Sequence, residues 1–261
     1  MSADRPSPRL AATVLLVRDR PGGLEVFMVE RHHQIDFATG ALVFPGGKVE
    51  AADADPRLRA RCGESLEVDD AARALRVAAI RETFEECGVL LARARGAAEL
   101  LAASGVGAPG ADFVADVERA DLFLACDRLV PFAHWITPAV VPKRFDTHFF
   151  LAAAPDDQLA LHDGRESVDS LWISPRAALR EAEAGRRTII YPTLMNLVRL
   201  AESRDVAAAL ARARAQPIVT VQPALARRAD GKPELSIPAD AGYPPLPPEL
   251  ARFASLEGAP R

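Results

Sequence analysis

Arg81-Glu82-Thr83-Phe84-Glu85-Glu86-Cys87-Gly88-Val89 crowds three carboxylates into little more than one helical turn and follows them with glycine. Stepping about 100° per residue from Val77, the residues Ile80, Thr83, Phe84 and Cys87 fall in one arc of about 120°. Glu82, Glu85 and Glu86 fall within about 100° of each other on the far side. The segment therefore reads as a helix with a core face and an acid face. Asp69 or Asp70 suits its N-cap, where a negative charge meets the positive end of the helix dipole. Gly88 suits its end, because glycine takes the left-handed conformation that closes a helix. The acids lie where the dipole is already negative, and at i,i+3 and i,i+4 they repel by roughly a few tenths of a kcal/mol per pair. Two readings remain open: a solvated acidic face, or a seat for a hard divalent cation such as Mg²⁺ or Mn²⁺, which prefers carboxylate oxygens.

Upstream, the apolar run Leu42-Val43-Phe44 suits a buried strand and leads into Pro45-Gly46-Gly47-Lys48, a turn that lets backbone groups approach a ligand closely. Together with Arg81 to Val89, this pattern resembles the Nudix box, written G-x5-E-x7-R-E-U-x-E-E-x-G-U with U an aliphatic residue. The second half matches at Arg81, Glu82, Glu85, Glu86, Gly88 and Val89, with Thr83 at the first U position. The first half departs from the pattern. The sixth residue after Gly47 is Asp53 instead of Glu, and residues 54–80 intervene before Arg81 where the box has seven. An insertion of roughly twenty residues, including Asp55-Pro56 and Cys62-Gly63, is expected before the helix, and the role of Asp53 stays open. Arg31, Gly40, the segment from Phe37 to Gly47, the long gap in the box, Trp135-Ile136-Thr137-Pro138 and Arg144-Phe145-Asp146-Thr147 are similar to the peroxisomal coenzyme A diphosphatase type and its bacterial relatives.

That resemblance implies an α/β fold, a Nudix-type α/β/α sandwich with a mixed β-sheet, carrying a loop insertion inside the box and a helical insertion after the box helix. Periodicity alone supports only α/β or α+β. The resemblance also implies metal-dependent hydrolysis of a diphosphate linkage in coenzyme A or acyl-coenzyme A, giving adenosine 3′,5′-bisphosphate and a phosphopantetheine. ADP-ribose or a dinucleotide such as NADH is the alternative substrate. A Nudix-fold sensor or binding module without turnover is the alternative of another class, motivated by the interrupted box. In the enzymatic reading, Glu82, Glu85 and Glu86 hold Mg²⁺ or Mn²⁺ with the Gly47 carbonyl, and Arg81 orients a box glutamate, unless it is an ordinary surface ion pair. The general base is Glu82 or Glu166, the latter in the loop before a strand near 168–173. Arg31, Lys48 and Arg144 are candidates to contact phosphate, or plain surface charges. His32, His33, His134, His148 and His162 share no metal-ligand spacing on a common helix and read as surface or core histidines.

A chain of 261 residues with 49% hydrophobic content is long enough for a sizeable core and insertions around it. A net charge of −4 and a pI near 5.8 give no general attraction to nucleic acid or anionic membrane. The partner expected is a small nucleoside diphosphate derivative of coenzyme A type. Cys62, Cys87 and Cys126 lack paired metal spacing, and their odd number argues against a disulfide framework. No apolar run reaches about eighteen residues, the N-terminus is not signal-like, and the C-terminus is not of the Ser-Lys-Leu type, so a cytoplasmic location is expected. The expected organisation is a domain over 1–204 with insertions at about 54–69 and 90–128, then a tail over 205–261 holding a helix, a hairpin and a proline-rich segment packed on it. The alanine-rich 90–128 segment reads as helical, either a cap over the substrate or a packing surface, including that of a homodimer. The turn signal Asp230-Gly231 places the tail hairpin between Ile218 to Val221 and Glu234 to Ile237.

Overall fold

A computed structural model describes residues 7–31, 40–62, 67–101, 112–155, 167–227 and 233–254. Near-continuous apolar runs, suited to burial on both faces, give the long strands β1 (Arg9–Arg20) and β2 (Gly23–Arg31), an antiparallel hairpin in which Arg20 faces Gly23. Their pairing runs only from Val17 opposite Val26 to the turn. Beyond that point the two strands splay apart, and the short strands β3 (Leu42–Val43) and β4 (Gly46–Lys48) fill the fork. β3 pairs with β2, and β4 pairs with β1, setting Gly46 opposite Thr13 and Gly47 opposite Ala12. The fork thus carries the glycine pair into the middle of the sheet.

After the helices α1 (Pro56–Arg59) and α2 (Asp70–Cys87), the pair β5 (Ala92–Ala94) and β6 (Leu122–Leu124) flanks α3 (Phe113–Arg119). The sheet then grows through β7 (Val130–Ile136), β8 (Phe145–Ala153) and β9 (Ser167–Ile173). β8 lies parallel to β1 and antiparallel to β7, and β9 pairs with β2. The helices α4 (Pro175–Glu183), α5 (Tyr191–Leu200) and α6 (Val206–Ala215) precede β10 (Thr220–Val221), which joins the sheet parallel to β7. Among the described residues the result is a mixed sheet of eight strands.

Strand alternation sends side chains to two cores. Ala12, Val14, Leu16, Phe27, Val29, Val43 and Phe150 pack against Val77, Ile80 and Phe84 of α2. Leu15, Val17, Met28, Leu42, Trp135, Phe149 and Leu151 pack on the other face, against Ala178, Leu194, Leu197 and Ala209 of α4, α5 and α6. This is the three-layer α/β/α arrangement. No helix among the described residues is long and apolar enough to cross a membrane.

The described residues inserted in the box are folded. Asp53 closes a 3-10 turn over Ala51–Ala54, Asp55 accepts from the Arg57 amide to cap α1, and Leu58 is buried in the α2 core. This insertion also grips the one that follows the box helix: Arg57 pairs with Glu118, Arg61 pairs with Asp121, and the Leu124 amide donates to the Arg61 carbonyl. Within 90–128 the described residues hold a helix and a two-stranded pair, because Leu122 and Leu124 alternate inward in a way that a strand satisfies and a helix does not.

In the tail, β11 (Ala224–Arg227) pairs with β12 (Pro233–Ser236), while Thr220 and Val221 pair with β7. The hairpin therefore takes its first strand one segment later than the turn signal suggested, since the edge of the main sheet captures residues 220–221. Tyr243 ties the tail to the core: its hydroxyl accepts from Trp135 Nε1 at 2.7 Å and donates to Asn196 Oδ1 at 2.6 Å. Both partners are buried, so removing the hydroxyl strands two polar groups. Tyr243→Phe is expected to lower stability by about 1–3 kcal/mol in urea unfolding; an unchanged midpoint would show that water replaces the hydroxyl.

Candidate active site

The acid face is the last turn of α2. The Asp69 side chain accepts from the Ala72 amide to start the helix, and Gly88, at φ 70°, ends it immediately after the glutamates. Ile80, Thr83, Phe84 and Cys87 are buried, as the wheel requires, and burial pushes the Cys87 thiol well above its usual pKa. The opposite side of the turn meets the glycine pair of β4. A Cβ at Gly47 would lie 2.4 Å from the Glu82 carboxyl carbon, and one at Gly46 would lie 2.4 Å from the Ala12 carbonyl oxygen. At Gly46 the obstacle is backbone and only glycine fits, while at Gly47 any larger residue would displace the Glu82 carboxylate. The Gly46 amide donates to Glu86 Oε2 at 2.9 Å, which fixes the third acid beside the turn.

Arg81 organises the other two acids. Its guanidinium is buried and donates to five acceptors: Asp53 Oδ1 (2.8 Å) and Oδ2 (3.0 Å), the Lys48 carbonyl (2.9 Å), Glu82 Oε1 (3.0 Å) and Glu85 Oε2 (2.9 Å). Asp53 is itself only 2% exposed, and its Oδ2 also accepts from the Glu50 amide at 2.7 Å. The first acid of the interrupted box is therefore present in space although displaced in sequence, and the inserted residues loop out between Asp53 and α2. Burial works against the Arg81 charge, but the hydrogen bond to Asp53 and the charges of Glu82, Asp53 and Glu85 outweigh it and hold the guanidinium firmly protonated. Burial likewise raises the Glu85 carboxyl above its usual value, with Arg81 opposing and Glu50 and Asp53 adding to the rise.

Three carboxylates thus share one guanidinium and a fourth, Glu86, sits beside them on the Gly46 amide, which leaves excess negative charge beside a backbone turn stripped of Cβ atoms. A hard divalent cation suits that donor set, with carboxylate oxygens and a backbone carbonyl as its ligands.

The remaining sequence candidates are scattered. Glu166 lies outside the described residues. Lys48 lends its carbonyl to Arg81 while its side chain is exposed and, by strand alternation, leaves on the face opposite Gly47. Arg31 ends β2, hydrogen-bonded through its backbone to Gly40 and Ala41, and Arg144 Nε donates to the Thr137 carbonyl at the turn between β7 and β8. Neither makes a described contact with the box acids.

Of the five histidines, His32, His33 and His162 lie outside the described residues, while His134 and His148, which share no helix, meet across two strands. Cross-strand pairing sets His134 of β7 opposite His148 of β8, and period-two alternation puts Asp146 on the same face. Ligand atoms of the three lie within 4.8 Å of one another, the one such group among the described residues. Burial, then the neighbouring His134, lower the pKa of His148 to about 4, while Asp146 pulls the other way. The readable signal was the strand pattern Asp146-x-His148, which a search along helices passes over.

This three-layer fold, with an arginine-centred acid turn closed by a glycine pair, defines the Nudix class. A family model described as the NUDT19 Nudix domain matches residues 56–200, and the chain belongs to that family of Nudix hydrolases. The putative nudix hydrolase 7 of Caenorhabditis elegans is 30% identical over 183 residues, which cover 69% of this chain and 57% of that protein. The chain therefore spans little more than half the length of that relative. The acyl-coenzyme A diphosphatase NUDT19 of Gallus gallus is 28% identical over 74% of this chain and 68% of its own length. Among solved structures, a NUDIX hydrolase from Alicyclobacillus acidocaldarius superposes with a TM-score of 0.70 at 29% identity, covering 80% of this chain and 97% of that one.

Asp53→Ala leaves the Arg81 guanidinium buried without its main partner. The variant is expected to lose about 3–5 kcal/mol of stability in denaturant unfolding, a large share of a typical domain's total; a loss near zero would show that Asp53 does not anchor the arginine.

Proposed function

We propose that the protein hydrolyses the diphosphate linkage of coenzyme A or an acyl-coenzyme A in the presence of Mg²⁺ or Mn²⁺, releasing adenosine 3′,5′-bisphosphate and the corresponding phosphopantetheine. The observation that carries this reading is the Arg81 network, which holds Glu82 against the Gly47 backbone and Glu85 beside it. A binding module has no need to maintain so repulsive a cluster on a buried arginine. The coenzyme A substrate is supported by relatives of Gallus gallus and Xenopus laevis that are named acyl-coenzyme A diphosphatases, at 28% and 23% identity.

Glu82, Glu85, Glu86 and the Gly47 carbonyl are the proposed metal ligands. When bound, the ion supplies charge neutralisation for the diphosphate and acidification of a water. The protein's own part is positional. Arg81 sets the rotamers of Glu82 and Glu85, and the Gly46 amide sets that of Glu86, so the carboxylates need no reordering when a charged substrate arrives. Glu82 or Glu166 takes the proton of the attacking water as the bridging P–O bond breaks, and the two phosphate products depart as monoesters. Arg31 and Arg144 are proposed to contact substrate phosphate from the ends of β2 and the β7 to β8 turn, where a guanidinium presents paired donors. Lys48 is proposed to act through its carbonyl, which steadies Arg81.

The full chain, incubated with Mg²⁺ and separately with coenzyme A, acyl-coenzyme A, NADH, ADP-ribose and diadenosine polyphosphates, is expected to cleave the coenzyme A substrates fastest, with products resolved chromatographically. Chelation with EDTA is expected to abolish turnover and Mg²⁺ to restore it. Faster cleavage of ADP-ribose or NADH would replace the substrate assignment, and no turnover of any compound would establish the binding module instead. Glu86→Gln is expected to lower kcat by roughly a hundredfold or more while leaving circular dichroism unchanged; wild-type rates would remove the acid turn from the chemistry.

A further inference from the structure

The row of residues that contains Gly47 continues across the sheet. Gly47 pairs with Ala12, Ala12 with His148, His148 with His134 and His134 with Thr220, five strands in register. Gly47 faces the Glu82 carboxylate, and Ala12 and Phe150 face the α2 core, so alternation places His134, Asp146 and His148 on that same side. At the usual strand spacing His148 stands roughly 10 Å from Gly47. That is too far for one ion to serve both groups, and beyond the roughly 4 Å separation of a two-metal clamp.

We propose that His134, Asp146 and His148 form a second metal site, taking a divalent transition ion of the zinc type, distinct in place and in ligand chemistry from the carboxylate set on α2. Asp146 Oδ1 lies 2.5 Å from His134 Nε2 and 3.7 Å from His148 Nε2. Three ligands about 2.0–2.1 Å from a tetrahedral ion stand about 3.4 Å apart, so the observed separations bracket the spacing that an ion imposes, and small side-chain rotations complete it. The imidazole rings stack with centroids 4.0 Å apart and planes 19° from parallel, and both Nε2 atoms lie within 4 Å of the same Asp146 oxygen. Simple pairing with one carboxylate requires only one of them.

The outer contacts suit ligation. His134 Nδ1 lies 2.8 Å from Thr220 Oγ1. When that hydroxyl accepts, Nδ1 carries the hydrogen and the Nε2 lone pair is left to take an ion; without an ion, the hydroxyl can donate to Nδ1 and Nε2–H to Asp146. All three side chains are partly exposed, which gives an ion a path from solvent.

Arg76 of α2, with its guanidinium 5.2 Å from the Phe150 ring, is the opposing charge in this neighbourhood. It counts most against a hard ion held by electrostatics alone. Two imidazole nitrogens favour Zn²⁺ and its neighbours over Mg²⁺ in any case. The three protein ligands leave a fourth position of a tetrahedral ion open to solvent or to an anionic oxygen.

The test uses untagged full-length protein in excess Mg²⁺, which occupies the carboxylate set. Electron paramagnetic resonance after one equivalent of Cu²⁺ is expected to show splitting from two imidazole nitrogens, and calorimetry with Zn²⁺ under the same Mg²⁺ excess is expected to show one site per chain. His148→Ala is expected to reduce the nitrogen count and weaken Zn²⁺ binding by more than roughly tenfold, and Thr220→Val, which leaves every ligand in place, to weaken it by roughly tenfold. Should His148→Ala fail to fold by circular dichroism, His134→Gln and Thr220→Val carry the same comparison. Oxygen-only ligation, absence of Zn²⁺ binding, or affinity and spectra unchanged in the folded variants would overturn the proposal. Failure of diphosphate hydrolysis would leave this result untouched, because the readouts are metal binding alone.

Discussion

The Arg81 guanidinium is the constraint on which the candidate site depends. It joins three parts of the chain that are distant in sequence: the 3-10 turn bearing Asp53, the β4 backbone at Lys48, and the last turn of α2. A buried cation needs its hydrogen bonds satisfied, and here three carboxylates and a carbonyl satisfy them. The same bonds place Glu82 and Glu85. Stability and site geometry are consequently one problem: what keeps a charge buried also keeps the acids in position.

The sheet supplies the other half of the arrangement. β1 and β2 part after Val17 and Val26, and the fork admits β3 and β4, so a glycine pair that would otherwise sit in an exposed loop is hydrogen-bonded within the sheet. Once Gly47 is fixed opposite Ala12, α2 can approach until a carboxylate touches the backbone. Among the described residues, the two insertions do not intrude on this contact. Their described residues clasp each other through Arg57, Arg61, Glu118 and Asp121 and reach α2 at its first half, near Asp70 and Arg73. The acids lie further along the same helix. Extra chain can thus enter the middle of the box without disturbing it, provided the added residues build their own packing.

Much of the fold was legible in the sequence because it is local. Ser174 caps α4 through the Ala177 amide with Pro175 in the first turn, α6 spans Val206–Ala215, and β7, β8 and β9 follow their apolar and β-branched runs. Where the reading diverged, pairing partners decided. Residues 220–221 had the composition of a hairpin strand but met a free edge of the main sheet, and residues 122–124 had helical neighbours but found Ala92–Ala94 across from them.

By itself the sequence determined the box helix, its core and acid faces, its caps at Asp69 and Gly88, and the family to which these belong, since each is written within one or two helical turns. Only the tertiary structure decided that Asp53 completes the box across its insertion, that Gly47 is a glycine because Glu82 lies against it, and that His134, Asp146 and His148 meet. The physical reason is common to all three. Such contacts are set by strand register and by the path of a loop, and neither leaves a fixed spacing along the chain.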